Sequence, residues 1–286
     1  MAGPDFVGIG AQRTGTTWLF SILERHPRLW LPPLKELHYF DDLEGKNRKR
    51  YYDFLRTRLI SGLWVRRPLS WWDARYFLKR RNDDWYAGLF ARANHRGLIA
   101  GEITPSYATL PIEIFEQMLR MNPKLKIIFI MRDPIMRSWS SVIKSRRKRK
   151  LLDFPTAEVA IKHAQGEGVS RKSCYSQTVK RIDTVFPQDQ IFYGFYEDLA
   201  KDPRRFVVSV LEFLGAQPVC PDTLHNDIPI GAAAAGRRPP IEFESALAAS
   251  YLPDVIELCR KFEGAPHVWR ARYEMLLGAN ASPSLA

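Results

Sequence analysis

The run Gly10-Ala-Gln-Arg13-Thr14-Gly15-Thr16-Thr17-Trp18 sets a cation between two glycines and places hydroxyls directly after them. Glycines let a backbone close around an anion, and the free N–H groups at a helix start then point at it. The spacing is that of a G-x-x-x-x-G phosphate loop. However, Thr16 stands where nucleoside-triphosphate enzymes carry the loop lysine, and the cation is Arg13, inside the loop. That argues against ordinary ATP or GTP hydrolysis. A second anion site is offered by Lys126–Met131, an apolar run emptying into Arg132-Asp133-Pro134, with Ser140 eight residues after the arginine. Proline presets the first helical turn, and a guanidinium with a nearby hydroxyl can grip one phosphate monoester. A third group, Lys35-Glu36-Leu37-His38-Tyr39-Phe40-Asp41, puts a carboxylate beside a histidine, a combination suited to proton transfer. Each has a plainer reading. In it Arg13 is an exposed arginine in a plain strand–turn–helix, Arg132–Asp133 an ion pair closing a turn, and Lys35–Glu36 a solvated pair over a packed His38.

Taken together, these residues resemble the sulfotransferases that use 3′-phosphoadenosine 5′-phosphosulfate (PAPS). The resemblance implies that Arg13 touches the leaving phosphate and the transferred sulfuryl group. It implies that Thr14, Gly15, Thr16 and Thr17 hold that phosphate, and that Trp18 faces adenine. Arg132 and Ser140 then correspond to the 3′-phosphate motif, and Tyr196, in Phe195-Tyr-Glu-Asp-Leu199, to a nucleoside contact. Gly236-Arg237-Arg238 is the best candidate for the late basic loop that closes over the nucleotide. The Lys-Glu-x-His segment is similar to that of the carbohydrate, heparan-sulfate-type branch, which implies Glu36 as general base and His38 as its assistant. Where carbohydrate members often carry a lysine after the glutamate of Gly101-Glu102-Ile103-Thr104-Pro105, this chain has Ile103. The implied cofactor is PAPS with no metal. The implied partner is a small-molecule, glycan or lipid acceptor bearing a hydroxyl, without nucleic acid.

These residues need a scaffold that brings them to one edge. Short apolar runs at Asp5–Gly10, Gly97–Gly101, Leu125–Met131 and Gln190–Tyr193 read as strands. Helical patterns at Thr16–Arg25, Pro111–Met121, Pro134–Arg149, Lys172–Phe186 and Pro203–Leu214 alternate with them, and Glu242–Phe262 reads as a further helix. Alternation of this kind specifies an α/β fold, a phosphate-loop-like parallel sheet flanked by helices, whose ligands bind beyond the strand carboxyl ends. The expected organisation is one domain over residues 1–286, with a mainly helical, aromatic and basic insertion at 44–96 on the acceptor side.

The composition sets limits around this picture. The chain has 286 residues, 45% of them hydrophobic, enough for a full core. Its net charge of +12 is concentrated: residues 44–96 hold 14 Lys/Arg against 5 Asp/Glu, and Lys144–Lys150 holds six cations. Such patches attract phosphate, sulfate, nucleic acid or an anionic surface. Trp64, Trp71, Trp72 and Trp85 lie among those charges, so a non-enzymatic reading, stacking on single-stranded nucleic acid or docking on an anionic membrane, stands beside the enzymatic one. A nucleotide or small-molecule kinase on the same scaffold is the alternative enzyme. Three cysteines, Cys174, Cys220 and Cys259, form no disulfide framework or zinc spacing. No apolar run is long enough to cross a bilayer and no leader pattern opens the chain, so a cytoplasmic location is expected. The run Ala232–Ala235 has no evident physical explanation.

Overall fold

The computed structural model describes residues 3–42, 71–148, 156–218 and 238–281. Gly236, Arg237, the Ala232–Ala235 run, Cys220, Arg149, Lys150 and residues 43–70 lie outside the described residues. Five strands, β1 (Phe6–Gly10), β2 (Leu29–Trp30), β3 (Ile99–Ile103), β4 (Lys126–Met131) and β5 (Ile191–Phe195), form one sheet in the order β2-β3-β1-β4-β5. Every pairing is parallel. The central strand β1 is the one that carries the glycine loop, so both neighbouring strand ends open beside it.

Alternation within the strands decides which helix covers which face. Ile128 and Ile130 of β4 join Phe6 and Ile103 in a cluster with α1 (Thr16–Leu23) and with a late helix at Pro203–Leu214. Val7, Ile9, Ile127, Phe129 and Met131 face the other way, into a larger cluster. The helices described between these elements are α2 (Trp71–Leu78), α3 (Asp83–Gly88), α4 (Ala91–His95), α5 (Ile112–Met121), α6 (Pro134–Lys148), α7 (Ala157–Gln165), α8 (Glu167–Ser170), α9 (Ser176–Val185) and α10 (Tyr196–Lys201). The late helix is α11, and α12 (Ile241–Cys259) and α13 (Ala265–Ala281) form a C-terminal pair.

The described part of the insertion is helical, α2 to α4, in keeping with its pattern. Among its described residues, four aromatic side chains are not displayed, however. Trp72, Trp85, Tyr86 and Phe90 are buried in the larger cluster, and Tyr39 stacks on Tyr86 with ring centroids 4.7 Å apart. Rings spent on a core do not offer faces for base stacking, so these four do not serve the nucleic-acid reading. The arginines between them lie across rings instead: Arg92 sits 4.5 Å from the Trp71 centroid and Arg81 4.9 Å from that of Trp85.

Strand β3 begins two residues later than its apolar run implies, because Gly97 turns at φ 65° and Leu98 is spent on that turn. The edge strand β2, the helix α7 and the whole of α13 were not legible in the periodicity.

Candidate functional site

Among the described residues, three that are not glycine have positive φ: Arg13 at 75°, Glu36 at 64° and His38 at 51°. These are the three residues that the sequence put forward as catalytic. A left-handed backbone costs such residues about 1–3 kcal/mol and persists only where the surroundings impose it. What imposes it here defines the site.

Arg13 lies in the loop between β1 and α1. Gly10 must be glycine: with φ 150°, a Cβ there would stand 2.9 Å from Ala108 Cβ and 3.0 Å from the Pro105 carbonyl. Gly15, at φ 85°, is the residue that begins α1, and a Cβ on it would meet the Tyr196 ring and Leu199. No side chain caps α1 and no acid stands in its first turn, so its N-terminal N–H groups face whatever anion the loop receives. The loop is cross-tied on every side. The Thr14 hydroxyl donates to the Ala11 carbonyl at 2.7 Å, so this side chain braces the loop and leaves only its backbone for a ligand. The Arg137 Nε donates to the Gln12 carbonyl at 3.3 Å, and the Arg132 guanidinium donates to the Arg13 carbonyl at 3.2 Å. Thr16 and Trp18 are buried against the sheet and Thr17 is exposed; the Trp18 indole N–H is buried with no hydrogen-bond partner among the described residues.

The second loop joins the first directly. Arg13 Nε donates to Ser140 Oγ at 3.0 Å, so the hydroxyl assigned to Arg132 is engaged by Arg13 instead. Arg132 lies over Tyr196, with its guanidinium carbon 4.2 Å from the ring centroid. Arg13, Arg132, Ser140, Tyr196 and Gly15 thus form one cluster at the carboxyl ends of β1, β4 and β5. Arg238 is exposed on the approach to α12.

Glu36 and His38 belong to a loop held by an arginine from outside and by a buried carboxylate from beneath. Arg81, in the turn between α2 and α3, donates to the carbonyls of Leu37 (3.2 Å) and His38 (2.8 Å) and to Asp42 Oδ2 (3.2 Å). The fully buried Glu102 of β3 accepts from Tyr86 (2.6 Å), Thr104 (2.6 Å) and Tyr107 (3.2 Å), and also from the Leu37 N–H. Burial pushes its carboxyl up, and the four donors limit that rise. Tyr107 accepts in turn from the Tyr39 N–H at 2.8 Å. The only sequence signal for Glu102 was its place just after a strand; Arg81 had none beyond its charge. Ile103, which stands at the lysine position of the carbohydrate branch, is buried against Gly8.

Within this loop the polar groups form a chain. Lys35 Nζ lies 2.8 Å from Glu36 Oε1, and His38 Nε2 lies 3.3 Å from Glu36 Oε2. On its other nitrogen, His38 Nδ1 is 2.7 Å from Asp41 Oδ2, which also accepts from the Ser106 hydroxyl at 2.5 Å. Ser106 is in the same β3 loop as Pro105, whose carbonyl abuts Gly10, so one short segment connects this chain to the anion loop. The hydrogen bond with His38, then Lys35, lowers the Glu36 carboxyl from an ordinary 4.5 to about 2 against the opposing effect of burial. For Asp41, burial acts upward, but His38 and Ser106 outweigh it and hold the group low.

A depressed carboxyl adds stability above its unfolded value and loses it as pH falls through its folded value. The Glu36 contribution is therefore present above pH 4.5 and fades between 4.5 and about 2. Urea unfolding of wild type and Glu36→Gln should show a stability gap at pH 6 that shrinks steadily by pH 3; a gap independent of pH would mean that Glu36 is not held by these partners.

Among the described residues no group of His, Cys, Asp and Glu is gathered for a metal ion, and no helix is long and apolar enough to cross a membrane.

Comparison with known proteins places this arrangement. A model of the sulfotransferase family matches residues 4–219. Mouse heparan sulfate glucosamine 3-O-sulfotransferase 6 is 26% identical over 224 residues, covering 77% of this chain and 54% of the relative. Human bifunctional heparan sulfate N-deacetylase/N-sulfotransferase 3 is 26% identical over 226 residues, covering 75% of this chain and 22% of the relative. The chain thus spans about half and about a fifth of the lengths of these two proteins. The crystal structure of a sulfotransferase from Alicyclobacillus acidocaldarius superposes with a TM-score of 0.66 at 24% identity, covering 94% of this chain and all of that one. At that identity the likeness is one of fold.

Proposed function

The chain belongs to the sulfotransferase family, and from that premise we propose that it moves the sulfuryl group of PAPS to an acceptor hydroxyl, with Glu36 as general base. The observation that supports this best is the coincidence of left-handed backbone at Arg13, Glu36 and His38 around one strand edge. The residues present fit the bisphosphate nucleotide. An uncapped helix start with no acid in its first turn suits the 5′-phosphosulfate, and Arg132, lying over Tyr196, suits the 3′-phosphate beside a nucleoside. PAPS supplies an activated sulfuryl group on a phosphosulfate anhydride.

In this reading Glu36 takes the proton of the acceptor hydroxyl while the acceptor oxygen bonds to sulfur. The sulfur–oxygen bond to phosphate breaks, and its electron pair stays on the phosphate of 3′,5′-adenosine bisphosphate. Arg13 and the N–H groups at the start of α1 stabilise the charge that grows on that oxygen. A carboxylate held at about 2 is a weak proton acceptor. Lys35 is the partner for which an incoming anion competes, and its withdrawal from Glu36 raises the proton affinity of the carboxylate when the substrate is in place. His38, braced by Asp41, then keeps the Glu36 side chain oriented.

The acceptor class follows the relatives: a sugar hydroxyl, reached from the side of the Glu36 loop and the basic insertion. Transfer of label from sulfur-labelled PAPS should be measured with glycan, phenol and alcohol acceptors. Labelled glycan with stoichiometric release of 3′,5′-adenosine bisphosphate is expected. Transfer confined to phenols would overturn the acceptor class, and phosphate transfer from ATP–magnesium would overturn the reaction.

A further inference from the structure

The C-terminal helix α13 carries Trp269, Arg272 and Tyr273 at i, i+3 and i+4, on one face. All three reach two carboxylates that directly follow the proposed nucleotide-binding residues. The Arg272 guanidinium lies 2.8 Å from Asp133 Oδ2 and 2.7 Å from Glu244 Oε1 of α12. The Tyr273 hydroxyl donates to Asp133 Oδ1 at 2.8 Å and accepts from the Ile135 N–H at 3.2 Å. Trp269 Nε1 donates to Glu197 Oε1 at 3.2 Å, and the same oxygen accepts the Asp133 N–H at 3.0 Å. Asp133 Oδ1 further accepts the N–H groups of Ile135 and Met136, closing the first turn of α6. The turn that presents Arg132 and the turn that presents Tyr196 are thereby joined to each other through Glu197, and both to α13.

We propose that α13 is a positioning element for the nucleotide, in which Arg272 neutralises Asp133 and so keeps the adjacent Arg132 free for the 3′-phosphate. The inference rests on the reading of Arg132 as the 3′-phosphate contact. Its physical basis is competition. Asp133 is almost fully buried, and a buried carboxylate deprived of its partner takes the nearest available cation. Without Arg272 that cation is Arg132, drawn off Tyr196 and away from the site. Helix α13 lies outside the residues that the family model matches.

Calorimetry with 3′,5′-adenosine bisphosphate and with 5′-AMP separates this role from mere scaffolding. In Arg272→Ala, affinity for the bisphosphate should fall about tenfold while that for 5′-AMP changes less than about twofold. Adding Asp133→Asn, which removes the competing charge and keeps an acceptor oxygen, should restore most of the loss. Equal loss of both ligands, no loss, or failure of Asp133→Asn to restore binding would overturn the proposal. Should Arg272→Ala not fold, Trp269→Phe deletes a single hydrogen bond; a loss of about threefold confined to the bisphosphate is then expected, and an unselective change would overturn it. A wild type that does not discriminate the two nucleotides would instead defeat the Arg132 reading, and this proposal with it.

Discussion

Glu36→Gln should lower kcat by about a hundred- to ten-thousandfold, the range that a positioned general base contributes, while leaving the affinity for 3′,5′-adenosine bisphosphate nearly unchanged. Glutamine keeps the size of the side chain and can still hydrogen-bond to His38, but it cannot take the acceptor proton. The loss should therefore fall on kcat and kcat/KM together, the pattern of an interaction made in the transition state. It should also abolish any acid limb of the rate profile due to this carboxyl, which His38 and then Lys35 hold well below its ordinary value in the free protein. Near-full turnover in this variant, measured by release of labelled sulfate ester, would remove Glu36 from the mechanism and leave His38 as the nearest replacement.

Arg13→Ala should cost roughly a hundred- to thousandfold in kcat, because a fixed donor aimed at developing charge contributes about 3–4 kcal/mol. Three features mark this arginine out from a surface cation. Its backbone is held at φ 75°, its carbonyl is tied by Arg132, and its Nε is set on Ser140 at 3.0 Å. The guanidinium is thus oriented before any ligand arrives, and orientation fixed in advance acts on the transition state more than on ground-state binding. Affinity for 3′,5′-adenosine bisphosphate should drop far less than kcat. Ser140→Ala should reproduce part of the kcat loss through Arg13, by about one hydrogen bond, or a few-fold. If KM rose while kcat stayed constant in Arg13→Ala, the residue would be a uniform binding contact rather than a stabiliser of the leaving group.

The fold was legible where one strand and its glycine turn follow each other, because backbone chemistry and apolar alternation there point the same way. Phe6–Gly10, Thr16 and the Lys126–Pro134 junction sit as their residues specify. Legibility failed where tertiary contacts replace local pattern. β2 is two residues long and exists only because Leu29 and Trp30 pair with Ile99 and Ala100 of β3. Helix α13 presents its Trp269–Arg272–Tyr273 face to acids more than 70 residues earlier in the chain. The site divides in the same way. Arg13, Glu36 and His38 were put forward from residue type, neighbours and the family resemblance, but their positive φ values were not legible: those of Glu36 and His38 lie in a loop on which Arg81, Glu102 and Tyr107 close, and that of Arg13 in a loop tied by Arg132 and Arg137. The role of Ser140 was assigned from its spacing and the family resemblance, and its contact with Arg13 depends on how two loops meet.

The central claim is a site for a bisphosphate nucleotide built from the first loop and Arg132. Its most direct test is calorimetry of the protein with 3′,5′-adenosine bisphosphate, with 5′-AMP and ATP–magnesium as controls, repeated on Arg132→Ala. Micromolar or tighter binding that requires the 3′-phosphate and is lost in Arg132→Ala is the expected result. Preference for ATP–magnesium, or binding that ignores the 3′-phosphate, would contradict it.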